Sequence, residues 1–244
     1  MKLTVLGKYG PYPAPGGACS GYLIQEGNTR VLVDCGAGVI SRLQQFCSIN
    51  DLDAIVLSHL HSDHMADLLV LRYALEIMNA KGLREARPLP LYAPENPREE
   101  FSVLSNSSVY GVQVIKDGMK LQIGELEFAF TEMTHPVQSF GMSIKSGEKR
   151  LVYTGDTSLN PRVEELARGA DFFFGDTGLL HADKGPKAVH LTAREIGEIA
   201  KAAGVKKLMV THFWPGYREE DVVREARSVF PETIGAEEMK SYEI

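Results

Sequence analysis

Two hydrophobic periods alternate from one end of this chain to the other. Period-two runs predict strands at Leu3–Leu6, Tyr22–Gln25 and Arg30–Val33, and Asp53–Ser58 carries the Val, Ile and Leu of a short buried strand. A helical spacing follows from Met65 to Asn79. The stretch Ala80–Ser108, rich in Pro, Asn, Ser and charge, reads as loop. A second series then begins, with strands predicted at Leu121–Thr131, Phe140–Lys145, Arg150–Tyr153, Asp171–Phe174 and Lys207–Val210.

The best-defined helix starts after His190. Thr192-Ala193-Arg194-Glu195 is a capping-box sequence, in which the Thr192 hydroxyl accepts from the Glu195 amide and the Glu195 carboxylate reaches back. Ile196, Ile199, Ala200 and Ala203 form its apolar stripe and Gly204 ends it, which leaves His190 in the loop just ahead. The last helix, Glu219 to Val229, is predicted to bury Val222, Val223, Ala226 and Phe230. Val31-Leu32-Val33-Asp34-Cys35-Gly36 loosely echoes Leu151-Val152-Tyr153-Thr154-Gly155-Asp156. The echo suggests one domain, residues 1–244, made of two pseudo-repeated halves, 1–125 and 126–244.

Composition narrows the class of function. With 244 residues, 44% of them hydrophobic and 24% charged, the chain has the proportions of a soluble globular protein. No apolar run approaches the roughly 18 residues of a membrane span, and the N-terminus lacks the features of a signal peptide, so a cytoplasmic protein with no membrane partner is expected. Cys19, Cys35 and Cys47 are an odd number without CxxC spacing and read as reduced thiols. The net charge of -6 argues against a grip on long nucleic acid, which needs a basic field.

The chemistry concentrates in Ser58-His59-Leu60-His61-Ser62-Asp63-His64, at the C-terminal end of a predicted strand. Three imidazoles and a carboxylate in six positions are costly to pack as core, since buried histidines need partners and repel one another once protonated. Neutral imidazoles with a carboxylate are the ligands a borderline divalent ion prefers. His59 and His61 can face the same way from an extended segment, while Asp63 and His64, entering a helix, point toward a second ion.

His-x-His-x-Asp-His resembles the signature of the metallo-β-lactamase-fold hydrolases. The remaining pieces follow in order: His135 in Thr134-His135-Pro136, Asp156 in Thr154-Gly155-Asp156-Thr157, and His212 in Val210-Thr211-His212-Phe213. The resemblance covers nearly the whole chain. It implies an α/β fold, a four-layer αβ/βα sandwich of two facing mixed sheets with helices outside. It also implies two divalent ions per chain, zinc by first expectation and manganese or iron as alternatives. One ion takes His59, His61 and His135, the other takes Asp63, His64 and His212, and Asp156 bridges them. Two divalent ions, less Asp63, Asp156 and a bridging hydroxide, leave about +1, which suits a small anionic substrate. Asp63 can also orient or deprotonate the attacking water.

His190 narrows the choice within that fold. A histidine ahead of the helix that leads to His212 resembles the ribonuclease Z and phosphodiesterase branch, where it contacts the scissile phosphate and can protonate the leaving alkoxide. Asp63 and His190 are therefore the candidate catalytic residues. Other features depart from ribonuclease Z. No long Gly/Pro-rich arm lies between Phe172 and His190, Phe174-Gly175-Asp176-Thr177 stands where that family has an acidic HEAT-like segment, and Tyr9-Gly10-Pro11-Tyr12-Pro13 replaces a basic motif. The expectation is thus a phosphodiesterase for a cyclic nucleotide or short oligonucleotide. The alternatives are a lactone, ester or thioester hydrolase on the same metals, ribonuclease Z-like RNA processing, and, remotely, a redox diiron protein. His181, Tyr9 and Trp214 are candidate substrate contacts, Asp34 is a candidate brace for the metal loop, and a homodimer with an interface in 80–108 is compatible with the sequence.

Overall fold

Most of the strands that pair in parallel are apolar on both faces, and such a strand must be covered on both sides. On Thr29–Val33 (β3), Val31 and Val33 belong to the core that reaches the other sheet, while Leu32 joins a separate cluster under the helices. The computed structural model describes residues 1–85 and 87–244 and resolves this requirement as four layers. Ala86, inside the stretch read as a loop, lies outside the described residues.

The first sheet runs β14-β1-β2-β3-β4-β5-β6. Lys2–Gly7 (β1), Gly21–Glu26 (β2) and β3 are antiparallel, and Ala54–Val56 (β4), Leu89–Ala93 (β5) and Tyr110–Val114 (β6) continue in parallel. Its helices are Val39–Leu43 (α1), Ser62–Met65 (α2), Asp67–Ala80 (α3) and Arg98–Ser105 (α4). The second sheet repeats the plan. Lys120–Ile123 (β7), Leu126–Glu132 (β8), Phe140–Ser146 (β9) and Lys149–Tyr153 (β10) are antiparallel, then Phe172–Asp176 (β11), Leu208–Thr211 (β12) and Thr233–Gly235 (β13) are parallel. Pro161–Ala167 (α5), Ala193–Ala202 (α6) and Glu219–Val229 (α7) pack on this sheet, and Ser241–Glu243 (β14) returns to pair with β1. The fold is the metallo-β-lactamase α/β sandwich.

Three expectations are corrected. The stretch 80–108 holds β5 and α4 as well as loop. The predicted strand at 121–131 is a hairpin, because Gly124, at a φ of 52°, turns the chain between β7 and β8. Phe230 and Val223 are only partly buried, and Phe230 caps α7. Among the described residues no helix is long and apolar enough to cross a membrane.

Between the sheets, Tyr22 packs edge-on against Phe174 at 5.0 Å, and Tyr153 stacks on Phe174 at 4.6 Å. The Tyr22 and Thr211 hydroxyls are hydrogen-bonded at 2.8 Å. Directly beyond this aromatic layer the strands β4, β10, β11 and β12 end, and each delivers a polar residue to the same edge of the sandwich.

Candidate metal centre

Ligand-type side chains arrive at this edge from both sheets. The turn after β4 carries His59 and His61 and leads into α2, which holds Asp63 and His64. His135 follows β8, Asp156 follows β10 and His212 follows β12. His212 has a φ of 62° and Asp34 a φ of 57°, a left-handed conformation uncommon for such residues and frequent at functional sites.

The side chains form two groups that share Asp156. In one, potential ligand atoms of His59, His61, His135 and Asp156 lie within 4.8 Å of one another; in the other, those of Asp63, His64, Asp156 and His212 do. In the first, His61 Nδ1 lies 3.0 Å from His59 Nε2 and 3.2 Å from His135 Nε2. In the second, His212 Nε2 lies 3.2 Å from both Asp63 Oδ2 and Asp156 Oδ2, and His64 Nε2 lies 3.4 Å from Asp156 Oδ1.

These contacts test whether the residues fit a metal. His64 Nε2 and Asp156 Oδ1 are buried without a hydrogen-bond partner, a costly arrangement for a folded protein. Nitrogen and oxygen atoms converging on one space suit a cation, and an all-His/Asp donor set suits a divalent ion. The residues fit.

Electrostatics separates the two groups. Burial, with the neighbouring imidazoles, holds His59 well below its ordinary pKa, and burial lowers His61 and His135 too, so the first group is a neutral imidazole set. Burial opposes charge on Asp63, but His64 and His212 outweigh it and bring its carboxyl to about 2. Asp156 is likewise driven well below the carboxylate range by His212, His64 and His59 against its burial. His64 and His212 rise despite burial, because Asp156 and Asp63 face them.

Behind the ligands, Asp34 is fully buried and accepts from four donors. These are the Ser58 amide at 2.7 Å, the Ser58 hydroxyl at 2.8 Å, His64 Nδ1 at 2.8 Å and the Tyr153 hydroxyl at 2.9 Å. It thereby fixes which nitrogen of His64 faces the cluster.

In front lies a cavity of about 350 Å³ lined by Pro11, His61, Ser62, Asp63, His135, Pro136, Asp156, Val189, His190 and His212. His190 Nδ1 is hydrogen-bonded to Asp176 Oδ2 at 2.8 Å, leaving Nε2 as the free nitrogen. Burial opposes charge on this ring, but Asp176 outweighs it and raises the imidazole to about 9. Six of the chain's seven histidines thus meet at one edge.

The three candidate substrate contacts are not among the lining residues. The Tyr9 hydroxyl donates to Glu219 at 2.6 Å, and Trp214 packs edge-on against Tyr217 at 4.9 Å. His181 is exposed, with its backbone amide donating to Glu225. Sequence reasoning missed the pairing of Asp176 with His190. Its signals are the acid at Asp176, standing where the ribonuclease Z family has its acidic HEAT-like segment, and its place closing the apolar strand β11, parallel to the strand that delivers His212.

Residues 29–213 match the family described as the beta-lactamase superfamily domain. The chain belongs to that superfamily. The probable metallo-hydrolase YhfI of Bacillus subtilis is 36% identical over 94% of this chain and 94% of its own. The crystal structure of YhfI superposes with a TM-score of 0.94 at 32% identity, covering 99% of this chain and 98% of that one. A ribonuclease Z of Brevibacillus brevis is 27% identical over 87% of this chain and 86% of its own. This beta-lactamase superfamily member is a metallo-hydrolase.

Proposed function

We propose that the protein is a dinuclear phosphodiesterase acting on a small phosphodiester, a cyclic nucleotide or short oligonucleotide, in the cytoplasm. The observation that carries the reading is the Asp176–His190 pair, which fixes an imidazole with a free Nε2 on the wall of the cavity beside the Asp156-centred clusters. A thioester expels a thiolate, which departs without a proton, whereas expulsion of an alkoxide from phosphorus calls for a proton donor there. The similarity to a ribonuclease Z supports the same bond type.

His59, His61, His135 and Asp156 would hold one divalent ion, and Asp63, His64, His212 and Asp156 the other, with zinc the first expectation and manganese or iron the alternatives. Two such ions, when bound, supply Lewis acidity toward the phosphoryl oxygens and acidify water to near neutrality. Asp63, ionised through neutral pH, orients the attacking water and accepts its proton. As the new P–O bond forms and the ester P–O bond breaks, His190 gives its Nε2 proton to the leaving oxygen. Asp176 keeps the ring oriented and stabilises the proton before transfer.

One observation favours a second reading. No Lys or Arg is among the lining residues, and Pro11, Pro136 and Val189 supply apolar wall, which suits a lactone, ester or thioester. The leaving group distinguishes the two. Metal-loaded protein should hydrolyse both bis(p-nitrophenyl) phosphate and a cyclic nucleotide, and Asp63→Asn should abolish both. His190→Ala should cost about 10²–10⁴-fold on the cyclic nucleotide and far less on the nitrophenyl ester, whose phenolate departs without a proton. No phosphodiester turnover, with lactones or thioesters cleaved and His190→Ala without effect on them, would replace the first reading with the second.

A further inference from the structure

Helix α3 has two apolar faces and only one of them is covered. Leu68, Leu71 and Leu75 are fully buried against the first sheet. On the opposite side Leu69, Val70, Tyr73 and Ile77 are 44%, 64%, 66% and 39% exposed. A single exposed Leu is ordinary, but four large apolar side chains on successive turns of one helix form a contiguous patch of the kind that marks an interaction site.

We propose that this face is the two-fold interface of a homodimer, α3 packing antiparallel on α3 of a second copy with Tyr73 at the axis. The charges beside the stripe argue for that occupant. Arg72 and Glu76 lie one turn apart on the same flank as Leu69, their Nε and Oε1 4.0 Å apart. A two-fold axis perpendicular to the helix brings that flank against itself and reverses its direction. Arg72 sits about 1.5 Å along the helix to one side of Tyr73, and Glu76 about 4.5 Å to the other. The second copy's Arg72 therefore arrives within about 3 Å, along the axis, of this copy's Glu76, and the pair forms twice. A parallel arrangement, about an axis along the helix, would carry this flank to opposite sides of the contact in the two copies, so neither charge would find its counterpart. A lipid surface would ask for a cationic rim, whereas these two charges cancel.

Sedimentation velocity on the full chain tests this. The wild type should sediment with the mass of two chains, and Tyr73→Glu with the mass of one at unchanged circular dichroism, since the side chain is two-thirds exposed. Arg72→Glu and Glu76→Arg should each weaken the dimer about tenfold or more, because each sets like charges across the axis, and the double exchange R72E/E76R should restore it. On mild oxidation Tyr73→Cys should crosslink to itself. Ile77→Cys should not, because its copies stand about 12 Å apart along the helix, beyond disulfide reach. A wild type that stays monomeric at its highest soluble concentration overturns the proposal. So does a dimer that survives Tyr73→Glu and fails to crosslink at position 73, which would place the contact on another surface.

Discussion

Asp34 shows how much a single buried carboxylate can organise. Four donors from the metal loop, α2 and the facing sheet converge on it, so an amide in its place would present an NH₂ to groups that are themselves donors. Asp34→Asn should destabilise the protein by about 3 kcal/mol in urea unfolding and weaken metal binding about 10–100-fold in a competition assay. Tyr153→Phe, which removes one donor, should cost only about 1 kcal/mol and leave metal binding within a few-fold. Equal effects from the two variants would mean that Asp34 does not orient His64. Gly10 is a second fixed point, because a Cβ there would run into the His212 ring. The residues of the two His/Asp clusters were legible from sequence because four of them sit in six consecutive positions and a family signature orders the rest. The pairing of His190 with Asp176 was not, since it depends on two parallel strands and a loop that only the fold brings together. Tyr9 and Trp214 were candidates through their loops, but a loop does not fix where its ring lies, and Glu219 and Tyr217 take up the two rings.

At the scale of elements, local chemistry was most readable where it closes on itself. Both bonds of the predicted capping box of α6 are present, Glu195 N to Thr192 Oγ1 at 3.2 Å and Thr192 N to Glu195 Oε2 at 3.0 Å. Thr192→Ala should cost about 1 kcal/mol, a fall in Tm of about 2–4 °C for a chain of this length, and no change within error would mean that the cap is idle. The same helix start follows His190 by two residues, so the cap also fixes the loop that presents His190 to the cavity. Where the reading failed, the signals were non-local. β5 carries Pro90, which argues against a strand, yet it pairs with β4 and β6 in parallel. α4 starts at a Pro97 N-cap with no side-chain cap bond, and only Glu99 and Glu100 in its first turn announce it. The exposed stripe of α3 was hidden for the opposite reason: a helix apolar on two sides shows no clean amphipathic period, and only the packed structure says which side is covered.

Across the whole molecule, the proposed ions would act as a staple. Their ligands come from both halves of the sandwich, His59, His61, Asp63 and His64 following β4 of the first sheet and His135, Asp156 and His212 following strands of the second. Without a cation the same edge holds buried carboxylates against raised imidazoles and leaves His64 Nε2 and Asp156 Oδ1 unpartnered. A ligand that binds only the folded state stabilises it by about 4 kcal/mol at a free concentration a thousand times its Kd. With Tm moving about 2–4 °C per kcal/mol in a protein of this size, that corresponds to about 8–16 °C. Chelation followed by dialysis should therefore lower Tm by that amount, and adding back a divalent ion should restore it. Asp156→Asn removes the carboxylate common to both groups, so its Tm should respond to the chelator far less than that of the wild type. His181→Ala, a histidine outside the cavity lining, should retain the full response. A wild type whose Tm is the same with and without chelator would mean that the two halves are held by their apolar and aromatic layer alone, and that the convergence of six histidines has another cause.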